Sequence, residues 1–509
     1  MAFFSSISIT SIAQAGEYDI SFSGEGAPIT ISIGNANDYG TSMIQQPDGK
    51  ILIGGYSNNG ADDDFAIIRL MPDGIPDSTF DADGRMALDS GTGNDQVKDL
   101  ALQSDGKIVA AGFAFNGTDN DIAVMRFNPD GTPDNSFAGD GMLILPIGDA
   151  NEIANAIKIQ EDGKIIVGGN SVLASHSDFC MVRLLSDGSL DASFDVDGIL
   201  IHSLSSLDDG INALIIQGDG RILAAGVSDN GIQREMAIVR YNEQGEPDVS
   251  FDGDGISTVG IGTSDASINA IALQPDGRIV AAGIGNFVAN VDFAVVRFNT
   301  DGSLDNTFDG DGIVTTAVGA LGDNARAVAI QSDGKILVAG LTGQSFFNMV
   351  LIRYNMDGSL DPGFNEDGIF MTYYTINSNV GSEIAIQSDG KILVAGAFKE
   401  SLYYDFAITR IHSEDGMGLT SMVRIEEDMK LYPNPFSESA TFQTSQSMSN
   451  ATLIIYNQFG QIVKQLGPIN ITIGQSFTIQ RNDLPAGIYS MLLVKKNRTF
   501  AKRQFIIAE

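Results

Sequence analysis

Apolar residues along this chain come in short runs that polar turns interrupt at fixed intervals. In the stretch Gln103 to Gly112, Gln-Ser-Asp-Gly-Lys-Ile-Val-Ala-Ala-Gly, a tight turn enters an apolar strand. The pattern occurs seven times, with its turn aspartate at Asp48, Asp105, Asp162, Asp219, Asp276, Asp333 and Asp389, a spacing of 57 residues five times and 56 once. One full unit reads from Val97 to Leu145. Val97 to Leu102 is predicted to be a strand, and Ser104-Asp105-Gly106 a hairpin turn in which glycine supplies a positive φ. Lys107 to Phe113 is the second strand, whose Ala-Ala-Gly is expected to let neighbouring sheets approach. A variable loop leads to the third strand, Asp121 to Phe127. Pro129-Asp130-Gly131 then turns the chain, and a longer connection through Phe137 reaches the fourth strand, Met142 to Leu145. Several strands are apolar at consecutive positions, as a sheet covered on both faces requires.

Three strands plus turn occur seven times, the last set running from Ile384 to His412, and the pattern stops after Asp415-Gly416. That last set lacks a fourth strand. Near the N-terminus, Asp19 to Gly26 followed by Ala27 to Gly34 matches the end of a unit, a fourth strand without a preceding three. The two fragments complete seven sets of four. A period of this length in all-β chemistry points to propeller blades. The expected fold is therefore all-β: a seven-bladed β-propeller closed by pairing Ile29–Ile33 with the last blade, which removes an exposed sheet edge. An open solenoid gives no reason for complementary half-units at the two ends.

The segments Gln103-Ser-Asp-Gly-Lys-Ile108, Asp121-Ile-Ala-Val-Met-Arg-Phe127 and Pro129-Asp-Gly131 through Gly141 resemble the delta-60 repeats of secreted bacterial β-propellers. The resemblance runs from Gly16 to Gly416. It implies the fold and little about activity.

Charge divides the chain. The formal net charge is -36. From Lys430 to Glu509 there are eight Lys and Arg against three Asp and Glu, so the preceding body carries 21 against 62. Such a body repels nucleic acid and anionic lipid, and its acids sit mostly in Asp-Gly turns. No apolar run reaches the ~18 residues of a membrane-spanning helix. The single cysteine excludes an internal disulfide framework. Cys180 occupies the slot of Ala66, Ala123, Ala237, Ala294 and Ala407, a small core position. The three histidines show no zinc-ligand spacing.

Certain residues repeat with the units. The third strands carry Arg69, Arg126, Arg183, Arg240, Arg297, Arg353 and Arg410. The long connections carry Asp77, Asp134, Asp191, Asp248, Asp305 and Asp361, with Asp19 as the seventh. Phe80, Phe137, Phe194, Phe251, Phe308, Phe364 and Phe22 lie three residues beyond. A charge repeated in a buried strand needs a partner, so the expectation is an arginine–carboxylate pin with a phenylalanine plug in every blade. The alternative is a ring of charge around a channel. The Asp-x-Asp-Gly loops at Asp81, Asp195 and Asp309 place carboxylates like part of a calcium loop. They lack the first Asp and the twelfth-position Glu of an EF-hand, so turn chemistry is the expectation and no cofactor is implied; calcium is the one ion weighed.

Four segments follow: 1–15, signal-peptide-like, ending in Ala13-Gln14-Ala15 but without a positive start, so that the true start lies upstream or the signal is atypical; 16–416, the propeller; 417–430, a linker; and 431–509, a second β-module expected to be a small Ig-like sandwich. In the last, Tyr432-Pro433-Asn434-Pro435-Phe436, the Leu484-Pro-Ala-Gly487-Ile-Tyr489 segment and the Lys495, Lys496, Arg498, Lys502, Arg503 cluster resemble the type A sorting domain of the type IX secretion system. That resemblance implies sorting roles for Pro433, Asn434, Pro435, Gly487 and Tyr489. It also implies the secretion machinery as partner, and release to the exterior or outer surface of a Gram-negative cell.

No nucleophile elbow, phosphate loop, HExxH or dinucleotide fingerprint is present. The leading function is non-enzymatic surface binding or adhesion, with a glycan or surface protein as partner. The rival is a secreted hydrolase or lyase with its site at the channel mouth. A specific site needs an asymmetric surface. The later loops between second and third strands carry aromatic residues: Phe287 in blade 5, Phe346 and Phe347 in blade 6, Tyr403 and Tyr404 in blade 7. Phe347 and Tyr404 share one repeat position, so adjacent blades are expected to set them side by side as a stacking platform.

Overall fold

The computed structural model describes residues 15–19, 21–22, 28–91, 93–148, 150–173, 176–287, 290–319, 322–343, 346–372, 378–399, 402–413, 429–432, 434–444, 448–457, 462–471, 476–481, 484–495 and 498–508. The segment 1–14 and most of the 417–430 stretch lie outside the described residues. Every described element is a strand or turn. The chain divides into two compact units, Ile12–Leu419 and a second that holds Thr420–Glu509.

The first unit contains seven four-stranded antiparallel sheets. In blade 1 the strands are Asp38–Gln45, Ile51–Asn58, Asp63–Leu70 and Arg85–Leu88, in that spatial order. Blades 2 to 6 have the same order. Blade 7 takes its fourth strand from the N-terminus: Ile29–Ile31 lies antiparallel to Asp405–Ile411, with Ile29 opposite Ile408 and Ile31 opposite Phe406. The first strands of successive blades, beginning at Asp38, Gln96, Glu152, Asp209, Ser267, Asp323 and Ser378, each touch the next, and the seventh touches the first. They form the inner wall of a closed ring.

Stacked faces bury the apolar runs. Leu52, Phe65, Ile67 and Phe80 of blade 1 pack with Val97, Leu100, Ile108 and Met125 of blade 2, and equivalent clusters join the other blades. Cys180 is fully buried in one of them. Its thiol is pushed up by burial and stays protonated.

Every inner strand carries a β-bulge opposite the second strand, for example between Val97 and Asp99 in blade 2. This corrects the expected role of the repeated glycine. A Cβ on Gly112 would stand 1.8 Å from the Gln96 carbonyl of its own blade, not against a neighbouring sheet. The glycine is there because the bulge pushes one backbone onto another.

In the second unit, Met429–Tyr432, Ser439–Thr444 and Ser476–Gln480 make one sheet, and Ile462–Ile471, Met448–Asn457, Gly487–Lys495 and Arg498–Ile507 make another. Leu431, Phe436, Phe442, Leu453, Ile455, Ile479, Tyr489, Met491 and Ile507 share one core.

Candidate functional site

The repeated charges are structural staples. In blade 1 the Arg69 Nε donates to Asp77 Oδ2 at 2.8 Å, and its Nη2 donates to Thr79 Oγ1 at 2.9 Å. The corresponding Nε–Oδ2 distances are 2.7 Å for Arg126–Asp134, Arg183–Asp191 and Arg297–Asp305, 2.8 Å for Arg240–Asp248 and Arg410–Asp19, and 2.6 Å for Arg353–Asp361. Each guanidinium carbon sits over its phenylalanine ring, 4.6–4.9 Å from the centroid. The third arm leaves the blade: Arg240 Nη1 donates to the Thr300 carbonyl of the next blade's turn at 2.6 Å, and Arg410 to that of Pro72 at 3.2 Å. Arg69, Arg126, Arg183, Arg297 and Arg353 bond the carbonyls of Pro129, Ser186, Glu243, Met356 and Ser413 in the same way. The pins thus lock each blade to its successor. Burial alone would raise the Asp77 and Asp134 carboxyls. Hydrogen bonds from the neighbouring Thr79 or Ser136 and a turn lysine, with the arginine charge, outweigh it and hold both well below the usual range.

The aromatic loops are placed differently from expectation. Phe346 and Tyr403 are each 46% exposed, and Phe347 and Tyr404 are half-buried. The side chain of Phe287 lies outside the described residues. Phe347 and Tyr404 do not meet, because each packs forward onto the following blade. The Phe347 carbonyl accepts from Asn379 N at 2.8 Å, and the Tyr404 carbonyl accepts from Asp38 N at 2.7 Å. Tyr404 therefore faces blade 1, where its ring centroid lies 5.6 Å from that of Tyr39, and Tyr39 stacks on Tyr56 at 5.7 Å with an interplanar angle of 6°.

Antiparallel order puts the loops between second and third strands at the same end of each blade as the start of the inner strand. Tyr39, Tyr56 and Tyr404 therefore stand at one mouth of the ring. Just inside come the bulge residues: Thr41, Lys98, Asn155, Asn212, Asn269, Arg326 and Ser382 in blade order. Thr41, Asn155, Asn212 and Asn269 donate to the carbonyls of Val97, Ile211, Ile268 and Ala325 in the next blade at 2.7–2.9 Å. Arg326 makes no such bond to a described residue, and its charge acts on the Tyr39 hydroxyl two blades away. Lys98 Nζ donates to Gln96 Oε1 at 2.8 Å and lies 5.3 Å from the Phe113 centroid. Burial, and next the charge of Arg326, lower the Lys98 pKa. Burial likewise pushes the Tyr56 hydroxyl up to about 12, aided by Tyr39 and Asp63.

One residue deeper lie Ser42, Asp99 and Glu383. Asp99 accepts from Ser42 Oγ at 2.8 Å, Leu100 N at 2.8 Å, Ile157 N at 3.0 Å and Lys158 Nζ at 3.1 Å. Burial, then the charge of Asp99, push the Glu383 carboxyl up to about 8, against a backbone bond from Ile384 and the charge of Lys158. The sequence reading missed Tyr39, Tyr56, Lys98, Arg326 and Glu383. For Lys98 and Arg326 the available signal was a single repeat position, four residues before the end of each inner strand, where the seven units disagree in charge.

In the Asp-x-Asp-Gly loops, Asp83, Asp197 and Asp311 accept from the backbone two residues on at 2.9–3.0 Å, the turn's own bond. Among the described residues no group of three or more His, Cys, Asp or Glu is arranged to hold a metal ion. Of the sorting residues, Pro433 lies outside the described residues. Asn434 accepts from Ile506 N at 2.8 Å, Pro435 is exposed, Gly487 is half-buried, and the buried Tyr489 donates to the Pro485 carbonyl at 2.8 Å. The side chains of Lys495, Lys496, Arg498, Lys502 and Arg503 lie outside the described residues.

Two family models match. The "domain of unknown function (DUF5122) beta-propeller" covers residues 46–80, 103–137, 160–194, 217–251, 274–308, 331–364 and 387–417, and the "secretion system C-terminal sorting domain" covers 430–508. No curated protein matches the chain at a significant level. Among solved structures, virginiamycin B lyase from Staphylococcus aureus is similar at 12% identity and a TM-score of 0.42, over 76% of this chain and 98% of that one. A polysaccharide lyase of family PL25, an ulvan lyase, is similar at 14% and 0.42, over 76% and 96%. Drosophila Semaphorin 2a is similar at 8% and 0.46, over 97% and 98%. At these values the likenesses carry no argument about activity.

Proposed function

We propose, for a chain that carries seven DUF5122 β-propeller repeats and a type IX C-terminal sorting domain and is therefore secreted or displayed at the outer surface, that the propeller is a binding module with its site at the tyrosine-lined channel mouth. The observation that supports this is the joined ring set Tyr404–Tyr39–Tyr56 at the junction of blades 7 and 1, with the exposed rings of Tyr403 and Phe346 on the same face. Rings that share a rim and keep part of their surface in solvent suit the flat, apolar faces of sugars. The hydroxyls at their edge, and Asn58, Asp63 and Gln96 beside them, offer the polar contacts that fix orientation. A glycan is the partner this chemistry favours. The test is a glycan array probed with the full-length secreted protein and with a Tyr39→Ala/Tyr404→Ala variant of unchanged melting temperature. Binding to a restricted set of glycans, lost in the variant, supports the reading; no glycan bound by the wild type overturns it.

The rival hydrolase or lyase draws on one feature, the Glu383 carboxyl, pushed up to about 8 by burial and the charge of Asp99. A general acid at neutral pH needs such a raised carboxyl. Product formation from any bound glycan, abolished by Glu383→Gln, would move the assignment to that reading.

A further inference from the structure

Resting on that reading, we propose that the glycan is anionic, and that its carboxylate or sulfate group seats between Arg326 and Lys98 while a neighbouring sugar ring lies against Tyr39 and Tyr404.

The argument starts from which cations are already used. The seven pin arginines each hold a carboxylate, and the turn cations Lys50, Lys107, Lys164, Arg221, Arg278, Lys335 and Lys391 each share that carboxylate and hold the aspartate of their own turn. Among the described residues of the propeller, Arg85, Lys98, Arg326 and Lys399 have no carboxylate within 4.0 Å, and of these Lys98 and Arg326 share the bulge register. In a protein of net charge -36 this is the reverse of what composition dictates. Both are part-buried in the ring wall, where an unpaired charge is costly.

Their position is not required by the fold. They occupy the bulge register of blades 2 and 6, and so stand at one height in the channel. In blades 3, 4 and 5 that register holds asparagine, which bonds the next blade's carbonyl at 2.7–2.9 Å. A short amide closes the ring there; a long cation does not improve on it. Two like charges within coulombic reach of one another, with no partner between them, form a site for an anion.

The nearby acids offset them only in part. Asp99 is engaged by Ser42, Leu100, Ile157 and Lys158. Asp63, whose charge Lys98 does feel, is held by Asn58 Nδ2 at 2.8 Å and Gln96 Nε2 at 2.9 Å. Glu383, with its carboxyl pushed up to about 8, is mostly uncharged at pH 7. The acidic outer turns act over longer distances and are screened beyond ~8 Å at physiological salt. The charge of Arg326 also acts on the Tyr39 hydroxyl, so the anion seat and the stacking wall lie within electrostatic reach of each other.

The experiment is titration calorimetry of the full-length protein at 0.15 M salt. The probes are an oligogalacturonate, a sulfated carrageenan oligosaccharide and a neutral cello-oligosaccharide of equal length. The proteins are wild type, Arg326→Gln, Lys98→Gln and Tyr39→Ala/Tyr404→Ala. The expected result is that at least one anionic probe binds ~10-fold or more tighter than the neutral one, and that each glutamine variant loses ~10-fold for it alone. Which anionic probe wins identifies carboxylate or sulfate. Lys98→Gln leaves Arg326 and its influence on Tyr39 in place, and so separates the two charges. Equal binding of anionic and neutral probes, unmoved by either glutamine variant, overturns the anion seat while the glycan reading stands. No binding of any probe, on a protein that also fails the array, overturns both.

Discussion

The Arg240 guanidinium makes three bonds at once: to Asp248, to Ser250 and to the Thr300 carbonyl of the following blade. Replacing it with Met removes all three and leaves a nearly buried carboxylate whose remaining cation is the half-exposed Arg221, 2.9 Å away. The expected loss is ~2–4 kcal/mol in denaturant unfolding. Glu383 is a residue of the opposite kind. Its carboxyl titrates near 8 in the fold against 4.5 when unperturbed. Between those values the unfolded chain has released the proton and the native state has not, so stability falls as pH rises through the window and levels off above it. Glu383→Gln lacks that fall. It should match wild type near pH 4 and be more stable by ~2–4 kcal/mol at pH 9, read from melts across the range. A pH-independent difference between the two proteins would remove the assignment. The pin aspartates behave inversely: their lowered carboxyls add stability that is lost only as pH falls below ~4.

The strand is the scale at which the sequence was most readable, and where its limit lies. Every requirement shared by the blades is written seven times, so the Asp-Gly turn, the Arg–Asp–Phe set and the split seventh blade can be read directly. The bulge is different. It leaves no residue signature except the glycine facing it, and without its register the inner-strand side chains cannot be aligned. Arg326 and Lys98 then look like scattered surface charges, and Tyr39 like one more strand aromatic. Phe347 and Tyr404 were readable as equivalent positions, but equivalence set them one blade apart, each against its own successor. The bulge itself is testable. A Cβ on Gly226 would lie 1.9 Å from the Gly210 carbonyl, whereas one on Gly218 meets nothing within 4 Å. Gly226→Ala should cost ~3 kcal/mol and Gly218→Ala less than ~0.5 kcal/mol in thermal melts. Equal effects would mean the inner strands are not bulged as described.

At the scale of the whole molecule the chain separates into a closed acidic ring and a basic sorting module with its own core. The ring is completed from its own N-terminal strand and pins, Ile29–Ile31 on blade 7 and Asp19 on Arg410, and among the described residues its pins draw on nothing after Ser413. Removing 431–509 should therefore leave a folded propeller with an unchanged melt that stays inside the cell envelope. Export of the truncated chain at wild-type yield would contradict the sorting role. What the exported ring does depends on its mouth, where blades 6, 7, 1 and 2 depart from the repeat together. The most direct measurement is a binding titration of glycan to three full-length proteins: wild type, Tyr39→Ala/Tyr404→Ala at the mouth, and Val196→Ala/Val249→Ala among the exposed side chains of the opposite face. A ~10-fold or greater loss confined to the mouth variant is the predicted result; equal affinity in all three would contradict the assignment of the site.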